Sequence, residues 1–454
     1  MTRRYLLALP AALISNQGFT EASTLTVPSP RQLAWHKLQT YAFLHFSMNT
    51  FTGKEWGYGD EDPKLFHPTA FDADSIVRAL AAGGMKAVIL TCKHHDGFCL
   101  WPSNTTKHSV AASGWRDGKG DVVREISQAA ASAGLKFGVY LSPWDRNHAA
   151  YGTPAYVDVY REQLRELLTA YGPVFEVWHD GANGGDGYYG GAREKRTIDK
   201  HSYYDWPNTW KLVRELQPGA VIFSDVGPDI RWVGNEKGFA NETCWATYDP
   251  IGENGGPPSP GDTKYKEGMT GHRKASQWMP AECDVSIRPG WFFHQDQNGR
   301  VKSSNELYEL YLKSVGRGTS FLLNVPPDKR GLLHENDVQS LAGFGKILKA
   351  TYANNLASPF HQKKDDWFIT AKGEFDTIRI HEDIRYGQRI DAFKIEAFRN
   401  QKWEVIAQGT SVGSCRIVKL PTPHPASRLR LRITDSSAVP VVRDFGVFRE
   451  TPGL

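Results

Sequence analysis

Between about residues 36 and 350, the sequence alternates short apolar runs with amphipathic segments of helical period. Residues 87–91 form a continuous apolar run, which is typical of a strand buried on both faces. Residues 122–133 have helical spacing and precede Gly134, a residue type that often follows a helix end. Strand–helix alternation at this spacing predicts parallel strands joined by right-handed crossovers. With seven or eight such units, the sequence favours a (β/α)8 barrel over an open, doubly wound sheet.

The predicted elements recur along this whole region. Apolar runs predict strands at residues 41–46, 87–91, 136–141, 174–180, 220–224 and 319–324. The first helix is predicted to begin at Asp72 or Asp74, and the later helices to cover residues 122–133, 157–171, 209–216, 305–315 and 335–348. The fourth strand is followed by an insertion rich in glycine and tyrosine at residues 184–204. Between residues 229 and 293 the pattern weakens, and long loops are expected there.

The segment after the first predicted strand argues against a nucleotide-binding fold. A dinucleotide-binding sheet has a glycine-rich loop at that point. Residues 45–49 read His-Phe-Ser-Met-Asn instead. The barrel therefore remains the predicted architecture.

After about residue 351 the pattern changes to an alternation of apolar and polar residues with period two. It occurs in short segments separated by turns, at residues 367–370, 377–380, 392–398, 403–406, 414–418 and 429–433. This pattern predicts an antiparallel β-sandwich. We therefore expect the barrel over residues 26–350 and the sandwich over residues 351–454.

The first 25 residues resemble a secretory leader. Arg3 and Arg4 precede an apolar run at residues 5–14, and small and polar residues follow it. The run is too short to span a bilayer. We expect export to the periplasm or to the exterior, with a cytoplasmic chain as the alternative.

Charge and cysteine content exclude several classes of protein. The 54 basic and 50 acidic side chains are interspersed, so no basic stripe predicts nucleic-acid binding. The five cysteines show neither a disulfide framework nor a Cys-x-x-Cys metal spacing. No membrane span is expected, and the sequence gives no indication of an oligomeric state.

The fourth predicted strand ends in a carboxylate. The run that begins at Val174 leads into Asp180, and Gly181 follows directly. Barrel enzymes present catalytic side chains at the C-terminal ends of their strands, so Asp180 is a candidate catalytic residue. The alternative is that Asp180 only caps a turn, because Asp before Gly is common turn chemistry.

Other polar and aromatic residues are expected at the same barrel mouth. They follow the first three predicted strands and include His45, Glu55, Trp56, His94, His95 and Tyr140. Hydrogen-bonding groups around aromatic faces are typical of a sugar pocket. A metal site is the alternative for the paired histidines, but they lack the helical i, i+4 spacing and an evident third ligand. We therefore expect no metal and no cofactor.

A sugar-cleaving enzyme needs a second carboxyl group. Asp225, Asp229 and Glu236 follow the fifth predicted strand, and Glu282 and Asp284 come later in the chain. Spacing alone leaves all five open.

Taken together, these motifs resemble the α-L-fucosidases of glycoside hydrolase family 29 along nearly the whole chain. The resembling residues are His45 with Asn49, Glu55–Gly57, Lys93–Phe98, Tyr140–Pro143 and Trp178–Gly181. The runs at residues 233–236 and 284–291 resemble the subgroup that acts on branched α-1,3- and α-1,4-linked fucose, as in Lewis-type glycans. The substrate implied is a fucosylated oligosaccharide or glycoconjugate.

The resemblance implies a retaining mechanism and assigns roles to residues. Asp180 would be the nucleophile and Glu236 the acid/base, with Glu282 as the reserve choice for the second role. The implied fucose-contacting residues are His45, Glu55, Trp56, His94, His95 and Tyr140. The fucose methyl group needs an apolar wall, for which the candidates are Trp232, Trp291 and Phe292. Two departures stand out, His179 where an aromatic residue is usual and the insertion at residues 184–204 beside the nucleophile.

Three rival functions remain at this point. One is a carbohydrate-binding protein without turnover, and another is a retaining glycosidase of the same fold with a different sugar, such as galactose. The third is a metal-dependent hydrolase, which the missing third ligand disfavours.

Overall fold

The computed structural model describes residues 25–425 and 427–451 of the 454-residue chain. Its first part is a closed barrel of eight parallel strands that follow one another around the ring in sequence order. They are β1 (Thr40–Leu44), β2 (Ala87–Lys93), β3 (Lys136–Leu141), β4 (Val174–Trp178), β5 (Val221–Ser224), β6 (Ile230–Trp232), β7 (Ala281–Ser286) and β8 (Ser320–Asn324). β8 pairs with β1 and closes the ring, with Thr40 opposite Phe321. The predicted barrel is confirmed.

Helices surround the barrel and connect its strands. They are α1 (Pro30–His36), α2 (Met48–Thr52), α3 (Ala73–Ala82), α4 (Val110–Ser113), α5 (Val122–Ser132), α6 (Pro154–Ala170), α7 (Trp206–Leu216), α8 (Tyr265–Gly268), α9 (Ser304–Lys313) and α10 (Glu335–Tyr352). Short 3-10 turns occur at Pro63–Leu65, Trp115–Gly118, Tyr189–Gly191, Gln295–Arg300 and Ile384–Tyr386. Asp72 caps α3 by accepting a hydrogen bond from the Ser75 N–H, which satisfies an otherwise free backbone donor at the helix start.

The long loops predicted between residues 229 and 293 are present at residues 233–280, where the helix α8 is the only regular element, but two barrel strands in this region were missed. β6 has only three residues, and its central Arg231 is fully buried. The guanidinium of Arg231 donates to the carbonyls of Gly268 and Trp245, at 3.0 and 2.9 Å, which offsets the cost of burying the charge. β7 carries two carboxyl groups, Glu282 and Asp284, so it lacks the continuous apolar run of a typical barrel strand.

Side chains that alternate along the strands fill the barrel interior. Tyr41 and Phe43 of β1 pack with Trp178 of β4 and Phe223 of β5 in one buried cluster. Trp178 and Phe223 stack with ring centroids 4.2 Å apart. Because residues two apart in a strand share a face, His45 continues the inward row of Tyr41 and Phe43 to the barrel mouth.

The second part of the chain is a β-sandwich of two antiparallel sheets, as predicted. Its strands are β9 (His361–Lys363), β10 (Asp366–Thr370), β11 (Phe375–Glu382), β12 (Ile390–Arg399), β13 (Lys402–Thr410), β14 (Arg416–His424), β15 (Arg428–Ser436) and β16 (Val442–Phe448). One sheet has the order β9-β10-β15-β12-β13, and the other has the order β14-β11-β16. β9 and β16 lie outside the predicted strands. α10 ends at Tyr352, and the first sandwich strand begins at His361.

The predicted leader lies almost entirely outside the described residues, which begin at residue 25. None of the helices in the described ranges combines the length and the apolar content needed to cross a membrane.

Candidate active site

A cavity of about 170 Å³ opens at the C-terminal end of the barrel strands. Its wall brings together residues that lie far apart in the sequence, namely Phe43, His45, Trp56, His94, His95, Tyr140, Trp178, Asp180, Ala182, Glu236, Asp284 and Trp291. Eight of the eleven residues predicted as the catalytic pair and substrate contacts therefore meet in one place, while Glu55, Trp232 and Phe292 lie just outside the wall. A larger cavity of about 470 Å³ at residues 293–298 and 328–335 contains neither Asp180 nor Glu236.

Asp180 lies two residues beyond the end of β4, in the turn that leads out of the barrel. Its Oδ1 accepts a hydrogen bond from the Ala182 N–H over 2.7 Å, and its Oδ2 accepts one from the Tyr140 hydroxyl over 3.0 Å. Tyr140 is itself held by stacking on Trp178, with ring centroids 5.1 Å apart. Two donors directed at one carboxylate fix its orientation.

Three buried histidines line the cavity and are uncharged at neutral pH. Burial lowers the pKa of His45 to about 3, and it also lowers the pKa values of His94 and His95. For His94, the neighbouring His95 and His45 add to this effect. Neutral imidazoles suit the recognition of neutral sugar hydroxyls, because each offers one donor and one acceptor.

The partners of these rings determine which nitrogen carries the proton. His45 Nδ1 lies 2.9 Å from Asn324 Oδ1, an acceptor, so this nitrogen donates and Nε2 is left as an acceptor. His95 Nδ1 lies 2.7 Å from the Ser142 hydroxyl, whose own proton goes to the Trp144 carbonyl, so His95 has the same tautomer. His94 Nδ1 instead faces the Asn49 amide nitrogen at 3.4 Å, which leaves its Nε2–H as a donor.

Glu236 approaches the cavity from the loop after β6. Its Oε2 accepts a hydrogen bond from the Trp291 indole N–H over 3.2 Å. Partial burial raises the pKa of Glu236; the Trp291 donor opposes this rise, and the nearby charges of Asp180 and Glu55 add to it. Burial and the neighbouring negative charges thus favour the protonated form of Glu236, as a general acid requires.

Glu55 supports the wall from behind. Its carboxylate accepts the Trp291 backbone N–H over 2.9 Å and lies 2.6 Å from His294 Nε2. Gly290 permits this approach, because a Cβ at that position would lie 2.3 Å from Glu55 Oε1. Trp291, fixed in this way, sits over His45 with ring centroids 5.0 Å apart.

The structure does not bring Glu282 to the cavity, which corrects its selection as the reserve acid/base. Its side chain is fully buried inside the barrel, where it accepts hydrogen bonds from the Tyr41 hydroxyl and, over 2.8 Å, from the Trp178 indole. Its neighbour across the interior is Glu176, another fully buried carboxyl group. A carboxyl group enclosed in this way has no route to a substrate at the mouth.

Trp232 contributes indirectly, through a residue that lines the cavity. Its indole donates to Asp284 Oδ1 over 2.7 Å. Burial raises the pKa of Asp284 well above its usual range, with the charge of Glu236 adding to the effect. Asp229, another early candidate, is instead held in ion pairs by Arg31 and Arg214.

Sequence reasoning missed three of the lining residues as site residues: Phe43, Trp178 and Ala182. The signal for Phe43 was present, because it precedes His45 by two residues and shares its face of β1. Asp284 was one of the five open candidates for the second carboxyl group, but its place in the wall was not predicted because β7 was not recognised as a strand.

His179, the departure next to Asp180, points away from the cavity. It is fully buried, and its Nδ1 lies 2.7 Å from the Tyr160 hydroxyl in the layer between barrel and helices. Burial lowers its pKa to about 3. His179 therefore contributes to packing between the barrel and its helices.

Metal ligands do not cluster in the part of the chain that the structure describes. Nowhere between residues 25 and 451, residue 426 aside, do three His, Cys, Asp or Glu side chains gather in a geometry that could hold an ion. All five cysteines are buried and free.

Comparisons with known proteins show which family the chain is similar to. The family model described as alpha-L-fucosidase matches residues 23–353. Alpha-L-fucosidase 1 of Arabidopsis thaliana is 39% identical over 94% of this chain and 88% of its own length.

Solved structures show the same two-part architecture. A glycoside hydrolase 29 family member from an unknown rumen bacterium has a TM-score of 0.89 and 43% identity, covering 95% of this chain and 78% of its own. A Ruminococcus gnavus glycoside hydrolase 29 fucosidase, solved in complex with fucose, has a TM-score of 0.81 and 29% identity, covering 94% of this chain and 95% of its own. The chain belongs to the α-L-fucosidases of glycoside hydrolase family 29.

Proposed function

We propose that this α-L-fucosidase is a retaining enzyme with Asp180 as the nucleophile and Glu236 as the general acid and base. The observation that carries the proposal is that both carboxyl groups line one small cavity in contrasting environments. Asp180 is oriented by two hydrogen bonds, whereas burial raises the pKa of Glu236 and so favours its protonated form. Glycosidases of both stereochemical classes use one carboxyl group as the acid and a second as the nucleophile or base. The retaining outcome is supported by the resemblance to glycoside hydrolase family 29.

Each carboxyl group then has two tasks. In the first step, Asp180 attacks the anomeric carbon of fucose, and the bond to the leaving oxygen breaks as Glu236 transfers its proton to that oxygen. In the second step, Glu236 takes a proton from water, and the resulting hydroxyl displaces Asp180 from the anomeric carbon. Two displacements at one carbon restore the original α configuration.

The size of the cavity supports removal of a single terminal sugar. Its volume of about 170 Å³ lies below the roughly 300–1,000 Å³ of pockets that enclose drug-sized ligands. One sugar ring is therefore enclosed, and the remainder of the glycan stays outside. That fucose is the enclosed ring is supported by the Ruminococcus gnavus fucosidase, which was solved with fucose.

We further propose a preference for branched α-1,3- and α-1,4-linked fucose. The support is the motif at residues 233–236, which carries Glu236, and the run at residues 284–291, which carries Asp284 and Trp291. Trp56 at the mouth is 54% exposed, so its ring face is available to a sugar outside the cavity. A branched glycan presents a second sugar next to the fucose, and aromatic faces stack on the apolar faces of sugars.

The leader-like first 25 residues are the basis for proposing that the enzyme acts in the periplasm or outside the cell. N-terminal sequencing of protein recovered from cell fractions tests this proposal. A mature protein that starts after the leader in the exported fraction is expected, and an intact Met1 in the cytoplasm would overturn it.

The experiment that tests the function is fucose release from Lewis-a and Lewis-x trisaccharides, with α-1,2- and α-1,6-linked disaccharides alongside. Asp180→Asn is the test variant, and Asp158→Asn is the matched control, because Asp158 is an exposed carboxylate on α6, away from the cavity. We expect release from the trisaccharides by the wild type and the control but not by Asp180→Asn. Faster release from the α-1,2 or α-1,6 substrate would overturn the linkage preference, and an active Asp180→Asn variant would overturn the nucleophile.

A further inference from the structure

Two segments without a predicted role meet on the mouth side of the barrel. One is the insertion at residues 184–204, which contains a hairpin of Gly185–Gly187 and Glu194–Arg196, and the other is residues 249–271 between β6 and β7. Lys200 Nζ donates to the Gly261 carbonyl over 2.7 Å, and His201 Nε2 lies 3.1 Å from the Pro257 carbonyl. Residues 184–204 and 249–271 are together termed the clamp.

One end of the clamp packs directly on the turn that carries Asp180. A Cβ on Gly261 would lie 2.4 Å from the carbonyl oxygen of Gly181, the residue after Asp180. The Gly261 N–H donates to Asp225 Oδ2 over 2.7 Å. A Cβ on Gly181 would lie 2.1 Å from that same oxygen of Asp225. Neither Gly181 nor Gly261 has room for a side chain. The clamp backbone therefore contacts both Asp225 and the turn that carries Asp180.

The other end packs on the turn that carries Glu236. A Cβ on Gly234 would lie 2.0 Å from the Tyr265 carbonyl oxygen, and Gly234 precedes Glu236 by two residues. The Tyr265 ring also meets the Trp232 ring edge to face, with centroids 5.3 Å apart. Tyr265 therefore holds both the backbone and a side chain of the segment that leads to Glu236.

The two ends are joined by one side-chain contact. The Tyr265 hydroxyl donates to Asp225 Oδ2 over 3.3 Å, at the oxygen that also accepts the Gly261 N–H. Asp225 is buried and follows β5 directly, so it is anchored to the barrel. We propose that Tyr265 and Asp225 are positioning residues, whose hydrogen bond fixes the Glu236 turn relative to the Asp180 turn.

The consequence for catalysis follows from geometry. The nucleophile and the acid must act on the same bond in one step, and a displacement of about 1 Å can cost roughly 100-fold in rate. Without the Tyr265 hydroxyl, the turn that carries Glu236 loses the hydrogen bond through which Tyr265 links it to Asp225. Asp180 keeps its own donors, Tyr140 and Ala182. The variant is therefore expected to be slower in protonating the leaving group. The loss of rate should be larger for a substrate whose leaving group must be protonated than for one whose leaving group departs as an anion.

The test is Tyr265→Phe, compared on a Lewis-type trisaccharide and on 4-nitrophenyl fucoside, whose leaving group needs little protonation. On the trisaccharide, kcat is expected to fall about tenfold with KM within about twofold, and on the aryl fucoside kcat is expected to fall by less than about threefold. Tyr308→Phe is the matched control, because Tyr308 is a buried tyrosine in the helical layer whose hydroxyl contacts Tyr352. Unchanged kcat, or equal losses on both substrates, would overturn the proposal.

A double-mutant cycle with Asp225→Ala provides the second test. Because both residues act through one contact, Tyr265→Phe is expected to have no further effect on kcat in the Asp225→Ala background. If the two substitutions lower kcat by factors that multiply in the double variant, the two residues act separately and the proposed link is refuted. The proposal rests on the proposed roles of Asp180 and Glu236, but its failure is distinguishable: an active Asp180→Asn variant refutes those roles, whereas a normal Tyr265→Phe variant refutes the link alone.

Discussion

Replacement of Trp291 by Phe tests how the protein sets the protonation of Glu236. The substitution removes the indole N–H that donates to Glu236 Oε2 over 3.2 Å and keeps an aromatic ring near His45. The donor stabilises the charged carboxylate, so its loss raises the pKa of Glu236 further. Glu236 must be protonated in the first step, and activity therefore disappears as pH rises through its pKa. The expected result is a shift of the basic limb of the pH profile to higher pH.

The size of the shift follows from the contact. A hydrogen bond to a charged group contributes about 1.5–3 kcal/mol in favourable cases. This bond is at the long end of the N–H···O range and Glu236 is exposed to solvent on its outer side, so about half of that applies. One pKa unit corresponds to about 1.4 kcal/mol. We therefore expect the basic limb to move upward by about 0.5–1 unit.

The assay is the pH dependence of kcat/KM on an oligosaccharide substrate, because this parameter reports the free enzyme and the step that needs the acid. Trp210→Phe is the matched control, since the indole N–H of this half-buried tryptophan on α7 has no acceptor among the described residues. The control profile is expected to match the wild type. A basic limb that stays in place or moves to lower pH in Trp291→Phe would refute the reasoning.

Three further outcomes are expected. Tyr140→Phe removes a donor to Asp180, so kcat on any fucoside should fall about tenfold through lost orientation, and an unchanged kcat would exclude that role. Burial raises the pKa of Glu176 well above the usual range, so this carboxyl group is protonated at neutral pH, and Glu176→Gln should change the free energy of unfolding by less than about 1 kcal/mol. Glu282→Leu instead leaves two buried donors, the Tyr41 hydroxyl and the Trp178 indole, without an acceptor. It should lower the free energy of unfolding by about 2–4 kcal/mol, measured by urea denaturation. Fucose release should persist after EDTA treatment and dialysis, and a loss restored by a divalent ion would contradict the two-carboxylate mechanism.

The accuracy of the sequence analysis varied with the kind of strand. β2 and β3 are continuous apolar runs, and they were predicted to within two residues of their observed ends. β6 was not recognised because its three residues are too few to show a repeating pattern of apolar residues. β7 was not recognised because its carboxyl groups break the apolar pattern. Those carboxyl groups are tolerated only because partners elsewhere in the barrel, such as Trp178 for Glu282, satisfy them.

Site residues, too, could be located from the sequence only where the strand that precedes them was recognised. His94, His95 and Asp180 were located correctly because each follows a recognised strand, and the end of a barrel strand lies at the mouth. Glu236 was identified through resemblance alone, since its position depends on the clamp. Glu282 was misplaced because only the observed register of β7 reveals that its side chain lies inside the barrel.

The covalent intermediate on Asp180 is the central claim, and it is tested directly by trapping with 2-deoxy-2-fluoro-fucosyl fluoride. The fluorine at carbon 2 slows the second displacement, so the intermediate accumulates and can be found by mass spectrometry of peptides. The account predicts one added 2-deoxy-2-fluorofucosyl group on the peptide that contains Asp180, and none in the Asp180→Asn variant. An adduct on another carboxyl group, or turnover of the reagent with no adduct at all, would contradict it.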